Sequence, residues 1–222
     1  MKYYVYVSDT KLDMLYEQIP PSLKSQIATE IKIDFKIIST SFSDKERQSL
    51  GTKYSKLKVL TDYIERHVGV SDVDDEAIGS YFKGTLPMRW GPLMNPYSGE
   101  RTKIVFFGGH STHRWVALAG SMKHVVGHVE KEPTEAASAT YYILSVILNE
   151  LRPELGDIYL GSPVFGEDED NKLALDGVSV ALGNLRGPVQ KVEFLAKTLL
   201  QGNAYSSEPV LLGTPIYVAL AE

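Results

Sequence analysis

The chain has 222 residues and a formal net charge of −5, with 43% hydrophobic and 23% charged residues. That length allows a sizeable buried core, and that composition belongs to a globular chain rather than a disordered one. The acidic balance argues against an extended nucleic-acid surface, and the lack of any cysteine removes disulfides, thiolate nucleophiles and Cys-ligated zinc.

"KYYVYVS" (2–8) is aromatic and β-branched and reads as a strand with apolar groups on both faces. Asp9 or Thr10 then serves as N-cap for "KLDMLYEQI", a short helix stopped by Pro20-Pro21. "PSLKSQIATEIKI" starts a second helix with proline at its first position, and "IKIDFKIISTSF" (31–42) alternates as a half-buried strand. "TKYSKLKVLTDYIERHV" (52–68) carries an apolar helical stripe, and "GVSDVDDEAIG" (69–79) reads as a solvated acidic loop. "SYFKGTLPMRWGPLMNPYSGERT" (80–102) begins as a strand, but its prolines predict that only parts of it join a sheet.

"KIVFFGG" (103–109) and "RWVALAG" (114–120) form a hairpin around "HSTH". The longest helix is expected over 132–151, followed by a short strand and loop over 156–166 and the acidic "EDEDN". "NKLALDGVSVALGNL" is ambiguous, because Gly177 and Gly183 weaken a helix. "GPVQKVEFLAKTLLQG" (187–202) reads as a helix with Val192, Leu195 and Leu199 on one face. "EPVLLGTPIYVALAE" closes the chain as a strand bulged or bent at Gly213-Thr214-Pro215. These elements predict one α+β, or mixed α/β, domain over 1–222, with a mixed central sheet and about four to five packed helices. The N-terminus lacks a signal peptide's apolar core, and "YYILSVIL" (141–148) is well short of the roughly 20 residues that cross a bilayer. A cytoplasmic protein without a membrane partner is expected.

Four of the five histidines, His110, His113, His124 and His128, fall in "FFGGHSTHRWVALAGSMKHVVGH". Their spacings suit neither a strand nor a clean helical pair of metal ligands, and no Asp or Glu lies between residues 101 and 129 to orient them. No metal and no cofactor is expected; the plainer reading is a hairpin tip and a packed imidazole. Gly120 and Ser121 follow an apolar strand, where bare backbone N–H groups hold anions, with Lys123 and His124 beside them. A simple strand-ending turn explains the same residues. Arg89-Trp90 and Arg114-Trp115 repeat one pairing, and two guanidinium groups and two indoles in one pocket would suit a phosphate or carboxylate beside a base. Against that stands a packed Trp with a solvent-facing Arg. Ser8, Asp9, Thr10 and Lys11 lie just beyond the first strand, where α/β sheets gather ligands, although helix capping accounts for Asp9 and Thr10.

The stretches "YVYVSDTKLDMLYEQIP", "YFKGTLPMRWGP", "VFFGG", "LAGSMKHVVG", "GPVQKVEFLAKTL" and "VLLGTPIYVALA" together resemble a family of uncharacterised bacterial proteins with a domain of unknown function. The resemblance spans nearly the whole chain and implies one complete domain. It carries no established activity and no catalytic residue; an association with bacterial conflict or signalling systems favours a nucleotide-type ligand sensor.

Three functions remain open at this stage. The first is a sensor or binding module for an anionic small molecule, a nucleotide included, using Ser8, Asp9, Thr10, Lys11, Arg89, Trp90, His110, Arg114, Trp115, Gly120, Ser121, Lys123 and His124. The second is a metal-independent phosphodiesterase or other hydrolase with His110, His113 or His124 as general base. The third is an interaction scaffold, homodimeric or bound to another protein, that presents some of the 13 tyrosines.

Overall fold

The structure is a computed structural model that describes residues 2–32, 45–94, 101–128, 167–204 and 209–222. The helix expected over 132–151, the segment 156–166 and nearly all of the strand expected over 31–42 lie outside the described residues. The contacts gather into two compact units, one made of Met1–Val7 with Ser71–Glu222 and the other of Ser8–Val70.

In the first unit the strands are β1 (Tyr3–Val7), β2 (Ser71–Asp72), β3 (Tyr81–Met94), β4 (Arg101–His110), β5 (Trp115–Ser121), β6 (Gln190–Asn203) and β7 (Pro209–Leu220). They run in the order β1-β7-β5-β4-β3-β2, and β6 pairs with both β3 and β7. The sheet therefore closes on itself through β3, β4, β5, β7 and β6. It is mixed, since β5 and β7 are parallel while β3–β4, β4–β5 and β6–β7 are antiparallel. The architecture is α+β, as expected, but the sheet is a five-stranded barrel with two added strands rather than an open layer.

Long strands that change partners make the closure. The first half of β3 pairs with β6 from Tyr81↔Lys197 to Met88↔Gln190, and the second half pairs with β4 from Met88↔Gly109 to Met94↔Arg101. This is how β3 keeps two prolines: Pro87 meets Lys191 before β4 joins, and Pro92 meets Val105 after β6 has ended. A proline cannot donate to a ladder, so it is tolerated where only one edge is paired. Pro87 and Pro92 thus sit inside the ladder, while Pro96 lies outside the described residues.

The segment 187–202, expected to be a helix, is the strand β6. Val192, Phe194 and Ala196 alternate into the barrel, while Leu199 and Leu200 pack on its outside. Burial on both faces imitates a helical stripe, and the ladder with β7 settles the matter. The expected irregularity near Pro215 is a bulge, because the register jumps from Leu195↔Tyr217 to Ala196↔Pro215.

Two apolar clusters follow from the alternation of the strands. Phe82, Met88, Val105, Phe107, Val116, Leu118 and Phe194 fill the barrel. The intervening residues Ile104, Phe106, Ala117, Ala119 and Leu212 face the helix Glu167–Asn184, which buries Leu175, Val178 and Ala181 against them. The ambiguous "NKLALDGVSVALGNL" thus belongs, up to Asn184, to this helix, whose first residues are the acidic "EDEDN", and its stripe pairs with an apolar sheet face. Gly109 lies where β4 passes β3 most closely, since a Cβ there would fall 2.5 Å from the Pro87 carbonyl oxygen and 2.9 Å from Met88. Gly109→Ala is expected to lower the unfolding free energy by about 1–3 kcal/mol, read as an earlier urea midpoint at an unchanged slope.

In the second unit, α1 (Asp9–Gln18), α2 (Pro21–Glu30) and α3 (Lys45–Tyr63) bury Leu12, Tyr16, Ile27, Ala28, Leu57 and Leu60, and a π-helical turn, Ile64–Val68, follows α3. Ion pairs tie α1 to α3, with Lys53 on Asp9 at 2.6 Å and Lys56 on Asp13 at 2.9 Å. Among the described residues no helix is long and apolar enough to cross a membrane.

Candidate functional site

The tip of the β4–β5 hairpin is built by hydrogen bonds rather than by apolar packing. Buried Ser111 accepts from the backbone N–H groups of His113 and Arg114, both at 3.3 Å. The Thr112 N–H donates to Asp74 Oδ1 at 2.9 Å. Within the 72–79 loop, Asp72 Oδ1 accepts from the Asp74 N–H and Asp75 Oδ2 accepts from the Asp72 N–H. The acidic stretch read as a solvated loop is therefore folded onto the hairpin. It supplies the carboxylate that residues 101–129 lack. Desolvation pushes the Asp74 carboxyl up, but the Thr112 N–H, the Ser111 and Thr112 hydroxyls and the His113 charge outweigh it and hold the group below its ordinary value.

Beside this clamp is an open cleft of about 360 Å³ lined by Glu76, Ala77, Ile78, Arg114, Gln201 and Val210, among others. Three parts of the chain meet there: the loop before β3, the start of β5, and the end of β6 with the start of β7. Arg114 Nη2 donates to the carbonyls of Asp75 at 2.7 Å and Glu76 at 3.4 Å, which fixes the guanidinium in place. Its Nε is buried with no hydrogen-bond partner among the described residues. No described carboxylate forms an ion pair with it. Gln201 Nε2 donates to the Ile78 carbonyl at 3.2 Å, and Gln201 and Asn203 both line the cleft. Ile78, Pro209 and Val210 give the cleft an apolar wall. The chemistry on offer is an immobilised cation with a spare donor, side-chain amides and a greasy surface, which is what a small anionic molecule with a hydrophobic part requires.

The other residues singled out from the sequence do not join Arg114. Trp90 stacks on Phe107 at 5.5 Å, and its Nε1 donates to Gln190 Oε1 at 2.7 Å, toward the barrel interior. Trp115 packs with the cluster under the 167–184 helix and meets His110 edge to face at 4.7 Å. The two indoles thus sit on opposite faces of the sheet, and Arg89 is exposed. A single pocket holding both Arg-Trp pairs does not form, because strand alternation sends neighbouring side chains to opposite faces.

Gly120 does not bare its backbone for a ligand. A Cβ there would lie 2.3 Å from the Tyr6 hydroxyl, and Tyr6 is fully buried. Ser121 Oγ accepts from the Lys123 N–H at 3.3 Å, closing a 3₁₀ turn over Met122–His124. His124 is buried edge-on to Tyr6 at 6.0 Å, while Lys123, His110, His113 and His128 are exposed. Among the described residues no three His, Asp or Glu side chains gather as a metal would need. A family model described as a family of unknown function, DUF7019, matches residues 2–222. The chain belongs to this family. No curated protein and no solved structure matches it.

Elsewhere in this DUF7019 member, the "VSDTK" stretch behaves differently from the expected cap. Helix α1 begins at Asp9, so its N-cap is Ser8, one residue before Asp9 and two before Thr10, and Ser8 makes no side-chain capping bond. Ser8 is instead fully buried and its Oγ accepts from Lys11 Nζ at 3.4 Å. Burial lowers the Lys11 amine from its ordinary 10.5 to about 8. Sequence reasoning singled out Arg114 but missed Glu76, Gln201 and Asn203. Only long-range pairing brings these beside it.

Proposed function

We propose that this protein is a binding or sensing module for an anionic small molecule, held by its carboxylate or phosphate at Arg114. One observation supports this reading above the others: a guanidinium anchored by backbone carbonyls at a cleft wall keeps a buried Nε–H without a partner among the described residues. A buried donor left unmade costs about 1–3 kcal/mol, and an oxyanion that accepts from it recovers that cost. Gln201 and Asn203 are placed to read polar groups of the ligand, and Ile78, Pro209 and Val210 to cover its apolar part. A nucleotide belongs to this class, with its phosphate on the cation and its base on the wall.

Thermal unfolding against a panel of mono- and dicarboxylates, phosphomonoesters and nucleotides tests the proposal. A native-state ligand at about a hundred times its dissociation constant adds about 2.7 kcal/mol and raises the midpoint by several degrees. Arg114→Gln is expected to abolish that rise for the same compound. A panel with no shift, or one whose shift survives in Arg114→Gln, contradicts the reading.

A further inference from the structure

The Ser8–Lys11 pair belongs to the helical unit, neither residue is among those lining the Arg114 cleft, and the proposed binding function makes no use of it. An alkylammonium taken from water needs a carboxylate partner, and here the nearby carboxylates are engaged elsewhere: Asp9 pairs with Lys53 and Asp13 with Lys56. No described carboxylate forms an ion pair with Lys11. Among the described residues its hydrogen bond is to the hydroxyl of Ser8, which makes no capping bond of its own. A half-buried amine with no counter-ion among the described residues and a hydroxyl within reach has the makings of a nucleophile rather than of a structural cation.

We propose that Lys11 is a reactive amine that condenses with a carbonyl compound, an aldehyde or ketone, while Ser8 relays the proton. The neutral Nζ lone pair attacks the carbonyl carbon, a C–N bond forms as the C=O π pair moves onto oxygen, and one Nζ proton passes through the Ser8 hydroxyl to that oxygen to give a carbinolamine. The C–O bond then breaks as the second Nζ proton leaves with the hydroxyl as water, which gives an imine on Nζ with no oxidant or reductant required. The shifted acidity of the amine makes the neutral form available near pH 8. The roles do not reverse into a serine nucleophile with a lysine base, because Ser8 is fully enclosed whereas Lys11 keeps partial exposure.

The test uses the intact wild-type protein, limiting benzaldehyde and cyanoborohydride at pH 7, followed by peptide mapping; a parallel sample receives a fluorophosphonate. At pH 7 the neutral fraction of an amine near 8 is roughly 300-fold that of one near 10.5; lower basicity and partial enclosure offset much of this, so Lys11 is expected to carry at least about ten-fold more benzyl label than the average exposed lysine. Lys11→Met should lose that excess while the other lysines keep their label. Label spread evenly over the exposed lysines, an unlabelled Lys11, or fluorophosphonate capture at Ser8 would each overturn the proposal. Since wild-type mapping decides the matter, it stands or falls even where a variant folds poorly, and it is independent of any result at Arg114.

Discussion

Phe107→Ala lowers the unfolding free energy by about 3–5 kcal/mol, the range for emptying a large aromatic site in a closed core. Phe107 is fully buried in the barrel interior. It meets Tyr6 edge-on at 6.0 Å and Trp90 face to face at 5.5 Å. Removing it takes the packing partner from both rings at once, and a closed barrel cannot collapse onto the gap as an open sheet edge can. Urea denaturation followed by Trp fluorescence reads the loss, and the indole that stacks on Phe107 reports it locally. Phe107→Leu, which keeps most of the volume, should cost less than half as much. Equal losses for the two variants would mean that the interior is not packed as described.

Lys11→Met makes the protein more stable at pH 7, by about 1–3 kcal/mol, an unusual direction for a buried substitution. The sign follows from linkage. Folding depresses the amine from 10.5 to about 8, so below pH 8 both folded and unfolded chains are protonated and the folded state carries the full cost of a desolvated charge. Between those two values the unfolded chain binds the proton and the folded chain does not, so stability rises with pH and the cost is relieved. The advantage of Lys11→Met should therefore be constant below pH 8 and shrink toward pH 10.5. Taking the difference between the two proteins cancels the tyrosines Tyr16, Tyr81 and Tyr217, whose hydroxyls burial pushes up and which titrate at the alkaline end. An advantage that is absent at pH 7, or that grows with pH, would show that the amine is solvated.

Local chemistry was legible in the sequence; closure was not. The β4–β5 hairpin could be read because its apolar strands flank a polar "HSTH" turn, and turn chemistry acts over a few residues. Helix α3 and the π-helical turn after it were visible from the stripe of Leu57, Leu60 and Ile64. Segment β6 was misread because Val192, Leu195 and Leu199 fit a helical period while the strand is covered on both faces. The pairing that shuts the barrel joins Tyr81 to Lys197, a register that no local pattern encodes. The same limit governed the site. Arg114 stood out as a cation beside a turn, whereas Asp74, Glu76, Gln201 and Asn203 come from segments far from it along the chain. Gly120-Ser121 resembled an anion-holding turn only because the volume occupied by Tyr6 is invisible in the sequence.

The central claim is that the Arg114 Nε–H waits for an oxyanion, and its own NMR resonance tests this most directly. In a protein labelled with ¹⁵N-arginine, the Nε–H signal missing from Arg114→Lys identifies the group. Adding the compound that stabilises the protein in the thermal panel should shift that signal downfield and slow its exchange with water, with the other arginine signals unmoved. A ligand that raises the unfolding midpoint while this resonance stays in place would show that binding occurs elsewhere and would contradict the assignment of the site.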